Sequence, residues 1–287
     1  MAHKPETDAV SGVVTTGHEW DGIKELDNPM PAWWVYTFYA CILFSAIWVL
    51  FYPSLPFVRG MLGYTARDTL DRVMAVEQAK AAPMLARIRA ATPEGIAADP
   101  ELRAYAQAGG RIAFATNCAG CHGAGGQGAV GGFPSLADDD WIYGGSFDAI
   151  HTSISAGVRN GEHPEARGVA MPAFAAAGLT APQISDLADH VLALSATAGA
   201  AAPEGRGATL YAENCVACHG ERGEGNRALG APRLNDQVWL YGGDKASVTR
   251  SIAYSRAGVM PAWAGRLDPA TVNMLTVYVH ALGGGER

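Results

Sequence analysis

The sequence predicts an all-α protein: one membrane-spanning helix near the amino terminus, then two tandem helical domains of the same kind. Three observations predict it. No charged residue occurs between Pro31 and Val58. Two blocks, around Gly110 and Gly207, repeat one another well beyond any short motif. Each block closes on apolar residues at helical spacing. The length of 287 residues agrees with about two ordinary domains besides an anchor. A hydrophobic content of 49% supplies cores and leaves room for a membrane segment. Net charge is -7, which argues against a nucleic-acid partner, because phosphate binding needs a basic face.

The anchor comes first. Read as a helix, Ala32 to Tyr52 spans roughly 31 Å, the thickness of a hydrocarbon core of about 30 Å. Trp33, Trp34 and Tyr36 stand at one end and Trp48, Phe51 and Tyr52 at the other, suiting the two interfacial belts of a membrane helix. Pro53 and Pro56 stop it. A cleaved signal peptide is the alternative. Against it, about thirty mostly polar and acidic residues come first, the run is too long, and no small-residue cleavage site follows. Cys41 then reads as a small apolar residue of the helix. The expected order is an amino-terminal cytoplasmic segment, 1–31, an anchor, 32–53, and a connecting segment, 54–102. That segment reads as helical in part, broken at Pro83, Pro93 and Pro100.

The repeat gives the two domains, 103–197 and 203–287. Gly110, Phe114 and Asn117 match Gly207, Tyr211 and Asn214. Trp141-Ile142-Tyr143-Gly144-Gly145 matches Trp239-Leu240-Tyr241-Gly242-Gly243, and Met171-Pro172-Ala173-Phe174 matches Met260-Pro261-Ala262-Trp263. Ile184, Leu187, Val191 and Leu194 in the first block, and Val272, Leu275, Val279 and Leu282 in the second, share one 3-4-3 spacing, which puts each set on one helix face. Ala196 to Gly207 is rich in Ala, Gly and Pro and reads as a short linker.

Four of the five cysteines lie in two heptapeptides, Asn117 to Gly123 (NCAGCHG) and Asn214 to Gly220 (NCVACHG). Cys-x-x-Cys-His is the attachment pattern of c-type haem. Cys118 and Cys121, and likewise Cys215 and Cys218, sit about one turn apart, so their thiols add across the two porphyrin vinyl groups as thioethers. His122 and His219 are thereby held under the iron. Zinc is the rival, since two thiolates and an imidazole suit it, but neither copy offers a second Cys-x-x-Cys for the fourth ligand. Two covalently bound haem c groups are therefore expected.

Each iron needs a sixth ligand. Met171 is the sole methionine of the first block and Met260 is its counterpart, so each is expected to complete the haem of its own block. The alternative, ordinary core methionines, suits Met274 on the last helix better. Nine extra residues precede Met171, among them Glu162, His163 and Glu165, and His163 stands as a competing ligand or a solvated loop residue. The glycine runs 123–132 and 220–230 lack the Lys-Ser/Thr of a phosphate loop and instead let backbone pass close to a porphyrin. Pro134 and Pro232 follow the histidines by 12 and 13 residues, where a carbonyl accepts the imidazole N–H. Asp138-Asp139-Asp140 is a solvated turn or a steering charge for a basic partner. With both irons filled by His and Met, and no nucleophile–base pair in sight, the chain carries electrons and has no catalytic site of its own.

Glu25 to Trp34 (ELDNPMPAWW), running into one membrane helix and then two Cys-x-x-Cys-His blocks, resembles subunit III of cbb3-type cytochrome c oxidases, the dihaem CcoP subunit. The resemblance covers essentially the whole chain. It implies two cytochrome c domains held at a bacterial inner membrane. It also implies electrons taken from a donor c-type cytochrome and passed to a monohaem cytochrome c subunit. From there they reach the catalytic haem–copper subunit, where oxygen is reduced and protons are pumped. Some members have two membrane helices and this chain has one. Two other readings fit the cytochrome blocks: a free-standing membrane-anchored shuttle, and a dihaem peroxidase or dehydrogenase subunit. The shuttle needs no LDNPMPxWW stretch, and a peroxidase needs an iron that can lose its sixth ligand. Lys4 and Lys24 before the span against Arg59, Arg67 and Arg72 after it favour a cytoplasmic carboxyl terminus by charge alone. Haem attachment outside the cytoplasm favours the opposite, and a single-pass chain with periplasmic haem domains is expected.

Overall fold

A computed structural model describes residues 4–54, 56–57, 59–200 and 204–286. It divides into two compact units, residues 1–80 and 81–287.

The first unit opens with a two-stranded antiparallel hairpin, β1 (Thr15–Trp20) and β2 (Ile23–Leu26). It is the one pair of named strands among the described residues, beside eleven helices. Its turn is Asp21-Gly22, both at positive φ (52° and 83°), the backbone that a two-residue hairpin turn requires. The anchor α1 (Ala32–Phe51) starts after Pro31 and ends at an extended Tyr52, where Pro53 prevents continuation. It carries no charge, and none of its residues is buried by the rest of the chain. A helix apolar on every side and bare of protein is one that lipid or another apolar surface covers. Cys41 lies exposed on it.

Helix α2 (Ala66–Ala90) holds Pro83 in its interior, where a break is expected from the sequence. An interior proline costs about 3 kcal/mol. Burial of Ile88, with Met84 and Leu85 packed beside it, offsets that cost at about 1.5–3 kcal/mol for each fully buried large side chain. The other two prolines do mark boundaries. Pro93 opens α3 (Pro93–Ala98) behind the cap Thr92, and Pro100 opens α4 (Pro100–Asn117) behind the cap Asp99.

The remaining helices of the second unit are α5 (Ala119–His122), α6 (Phe147–Ala156) and α7 (Ala181–Ala196) from the first block. From the second come α8 (Arg206–Asn214), α9 (Val216–His219), α10 (Lys245–Tyr254) and α11 (Pro269–His280). Their packing departs from the expectation of two contiguous domains, 103–197 and 203–287. Helix α11, the last of the second block, packs on α4 and α6 of the first. Helix α7, the last of the first block, packs on α8 and α10 of the second. The two blocks have exchanged their closing helices. Phe114, Ile150 and Ile154 thus share a core with Val272, Leu275 and Val279, while Leu210, Tyr211, Val248 and Ile252 share one with Ile184, Leu187, Val191 and Leu194.

The exchange has a physical basis. Both closing helices carry the same apolar 3-4-3 face, so each fits either cradle. The short link from Ala196 to Arg206 keeps α7 beside α8, as consecutive elements usually are, and leaves α11 to close the first cradle. Gly110 and Gly207 occupy the two helix crossings. A Cβ at Gly110 would lie 2.6 Å from Tyr278 Cβ on α11, and one at Gly207 would lie 3.1 Å from His190 Cβ on α7. The chain after α11 stays with the first block: Trp141 Nε1 donates to Gly284 O at 2.5 Å, and Glu286 N to Gly145 O at 3.0 Å.

Candidate haem sites

Each Cys-x-x-Cys-His heptapeptide folds as one tight helical turn. His122 N donates to Cys118 O at 2.9 Å and Cys121 N to Cys118 O at 3.1 Å; His219 N and Cys218 N reach Cys215 O at the same two distances. Both thiols of a pair and the imidazole therefore stand on one short turn. Glycine ends it each time, Gly123 at φ 78° and Gly220 at φ 79°, which turns the chain back under the histidine. The asparagine ahead of each motif braces its helix end, Asn117 Nδ2 to Ala113 O and Asn214 Nδ2 to Leu210 O, both at 2.8 Å.

The returning loops place the proline carbonyls where the sequence spacing puts them. His122 Nδ1 lies 3.0 Å from Pro134 O, and His219 Nδ1 lies 2.9 Å from Pro232 O. A carbonyl can only accept, so Nδ1 carries the proton and Nε2 keeps its lone pair for a metal. Burial holds both imidazoles below their ordinary pKa, with the proline hydrogen bonds opposing. Each is thus neutral near pH 7, the form that binds iron. Burial, with the neighbouring Cys121, pushes the Cys118 thiol up to about 11, and burial with Cys218 does the same to Cys215.

These donors fit a haem. Imidazole Nε2, two thiols one turn apart and an apolar wall are what a covalently held porphyrin needs. They do not fit zinc: among the described residues, no three His, Cys, Asp or Glu side chains converge as a cation site.

The methionines are where sequence adjacency misleads. Met260 lies with Cys118 and Ala119 against the core of Phe114, Ile150 and Leu275. Met171 lies with Cys215 and Val216 against the core of Leu187, Leu210 and Tyr211. Each methionine packs against the other block's core together with the helix that follows it. Backbone pairing holds them there. Met260 and Val158 exchange two hydrogen bonds, at 2.9 and 3.0 Å, and Asn160 Nδ2 adds a third to Met260 O at 3.0 Å. Ser255 Oγ donates to Met171 O, and Phe174 N to Ile252 O at 3.1 Å. Val158, Asn160 and Ser255 have no motif to announce them, because their role exists only after the exchange. His163 sits in the loop between Val158 and Arg167, where its Nδ1 accepts from Glu165 N at 3.2 Å. Of the acidic run, Asp140 has its carboxyl pushed up by burial and then by Asp236 of the second block, with Asp138 and Asp139 adding and Arg233 opposing.

Comparison with known proteins accounts for almost all of the chain. Residues 12–59 match the family model described as the N-terminal domain of cytochrome oxidase-cbb3, FixP. Residues 106–195 match cytochrome c, and residues 202–279 match cytochrome C oxidase, cbb3-type, subunit III. The cbb3-type cytochrome c oxidase subunit CcoP of Azospirillum brasilense is 48% identical over the full length of both chains. The subunit of the same name from Azospirillum sp. (strain B510) is 47% identical over 97% of this chain and 98% of its own. The FixP subunit of Azorhizobium caulinodans is 46% identical over 99% of this chain and 98% of its own. Full-length identity at this level, the two cytochrome blocks and the apolar helix ahead of them together make the chain a member of the CcoP/FixP family, the electron-transfer cytochrome subunits of cbb3-type cytochrome c oxidases.

Proposed function

We propose that this subunit carries two covalently attached haem c groups and relays electrons through them from a donor c-type cytochrome towards the oxygen-reducing subunit. One observation carries the reading. Twice over, a Cys-x-x-Cys-His turn presents two thiols and an imidazole whose Nδ1 is tied to a proline carbonyl, which leaves Nε2 free for iron. The haem iron supplies one-electron chemistry when bound. The chain's own residues do the rest. Cys118 with Cys121, and Cys215 with Cys218, anchor the rings. His122 and His219 would bind the iron through Nε2. Pro134 and Pro232 fix the imidazole planes and raise their basicity. Met260 completes the site of His122 and Met171 that of His219, so each block lends its thioether to the other. The thioether favours the reduced iron and sets a high potential. A haem held by both His and Met would have no position open for substrate, which supports a relay and not a peroxidase.

The attachment is tested by counting haem. The purified chain is expected to hold two haems that survive denaturing electrophoresis, and Cys215→Ser with Cys218→Ser is expected to leave one. Two zinc ions per chain and no covalent haem would overturn the reading.

The partners we propose are a monohaem cytochrome c subunit and the catalytic haem–copper subunit on one side, a soluble or membrane-bound donor cytochrome on the other. Helix α1 anchors the assembly in a bacterial inner membrane with the haem domains in the periplasm. Cysteine–haem thioethers are made outside the cytoplasm, and long domains cross largely regardless of their charge, so Arg59, Arg67 and Arg72 do not decide the topology. An alkaline phosphatase reporter fused after Gly60 is expected to be active. An inactive phosphatase beside an active cytoplasmic reporter at the same position would place the haem domains inside.

A further inference from the structure

The two blocks meet across a pair of reciprocal contacts that the relay does not explain. Tyr143 of the first block lies on Gly230 of the second, so closely that a Cβ built on Gly230 would enter the tyrosine ring. Tyr241 of the second block lies on Gly132 of the first, where a Cβ would come within 2.9 Å of both Tyr241 Cε1 and Oη. The tyrosines are equivalent in the repeat, as are the glycines, and both glycines have positive φ (69° and 116°). Glycine is therefore required there twice, by backbone conformation and by the approach of a ring.

Each tyrosine is also held from behind by the segment that delivers a methionine. Tyr143 Oη accepts from Arg159 Nη1 at 3.2 Å, and Arg159 follows Val158, the backbone partner of Met260. The Arg167 guanidinium covers the ring at 4.6 Å. Tyr241 has the Arg256 guanidinium over its ring at 4.8 Å, with Nη2 donating to Tyr241 O at 3.3 Å, and Arg256 follows Ser255, which donates to Met171 O. On the far side, each glycine stands two residues before a proline whose carbonyl holds a histidine: Gly230 before Pro232 and His219, Gly132 before Pro134 and His122. Gly131 N and Gly132 N both bond to Leu240 O, at 3.0 and 3.2 Å, which fastens the second of these junctions.

Each ring is thus wedged between the methionine segment of one site and the histidine loop of the other. We infer that Tyr143 and Tyr241 are positioning residues that fix the distance and tilt between the two haem sites, and so govern electron exchange between them. The inference rests on the dihaem reading above. It assigns the tyrosines no redox step; their task is steric. Packed interiors do not stretch, so adding a methyl group at either glycine must open the junction.

The test uses the full chain with its haems attached. Gly230→Ala and Gly132→Ala are expected to weaken the spin–spin coupling between the two ferric irons seen by electron paramagnetic resonance. They should also slow electron redistribution between the haems severalfold after flash reduction. Haem content, the Met–iron absorption and the two midpoint potentials are read alongside, and only variants that hold both haems are scored. Tyr143→Phe and Tyr241→Phe keep the ring and should leave the coupling nearly unchanged, whereas Tyr143→Leu and Tyr241→Leu should reproduce the glycine variants. If a glycine variant fails to take up haem, the leucine variant at its partner decides. Unchanged coupling and rate in any glycine or leucine variant that holds both haems would overturn the positioning role. A wild-type chain holding fewer than two haems would instead sink the dihaem reading, so the two failures are told apart.

Discussion

Met260→Ala is expected to lower the potential of the haem held by His122, and Met171→Ala that of the haem held by His219. The direction follows from ligand chemistry: a thioether favours ferrous iron, and its loss leaves water or a harder ligand that favours ferric iron. The size is a sizeable part of the roughly 0.8 V over which axial ligands tune haem potentials. The assignment follows from packing, since Met260 lies with Cys118 and Met171 with Cys215. Covalent attachment should survive in both variants, because the thiols and histidines are untouched. The measurement is a spectroelectrochemical titration in the background Cys215→Ser/Cys218→Ser, where only the first haem remains. There Met260→Ala should shift the single wave and abolish its Met–iron absorption, while Met171→Ala should do neither. The reverse pattern would restore the pairing by sequence adjacency, and a parent with no Met–iron absorption whose wave neither variant shifts would hand the ligand position to a group such as His163.

The Cys-x-x-Cys-His turns and much of the fold are legible in the sequence because they depend on short spacing. Two thiols and an imidazole on one turn are fixed by Cys-x-x-Cys-His. The proline carbonyl that fixes the imidazole follows at a set loop length, and His122–Pro134 and His219–Pro232 both meet as that length requires. The anchor is legible from twenty residues without a charge. What stays hidden is whatever depends on which copy a repeated element chooses. The 3-4-3 faces of α7 and α11 are interchangeable as patterns, so they announce two helices but not their cradles. Gly110 and Gly207 announce a close helix crossing without naming the helix that crosses. Two local features have other causes. Asp21-Gly22 turns a short hairpin inside a polar stretch. Pro83 ends a helix by local rule, yet the burial of Ile88 beyond it carries α2 through.

Leu275→Ala should damage the first haem site although Leu275 lies in the second block. The side chain is fully buried, and its neighbours in the core are Phe114 and Ile150 of the first block. Truncating such a leucine removes burial and leaves a cavity, at a cost of about 2–5 kcal/mol. For a unit of this size each kcal/mol is worth roughly 2–4 °C in Tm. Leu187→Ala is the mirror experiment: it too is fully buried, lies in the first block, and packs with Leu210 and Val248 of the second. Heating each variant while following the Met–iron absorption of the two haems separately gives the readout, with single-haem backgrounds supplying the assignment. Leu275→Ala should bring forward the loss of the His122 site and Leu187→Ala that of the His219 site. Loss in the opposite order would mean that α7 and α11 close their own blocks. A fall of equal size at both sites would mean that the exchange has made the two haem cradles a single cooperative unit, in which neither can open alone. Met171 and Met260 each reach from one block into the other's core, so under the proposed ligation that coupling would reach the ligands themselves: heat that frees α11 would loosen Met260 and, through the shared junction, Met171.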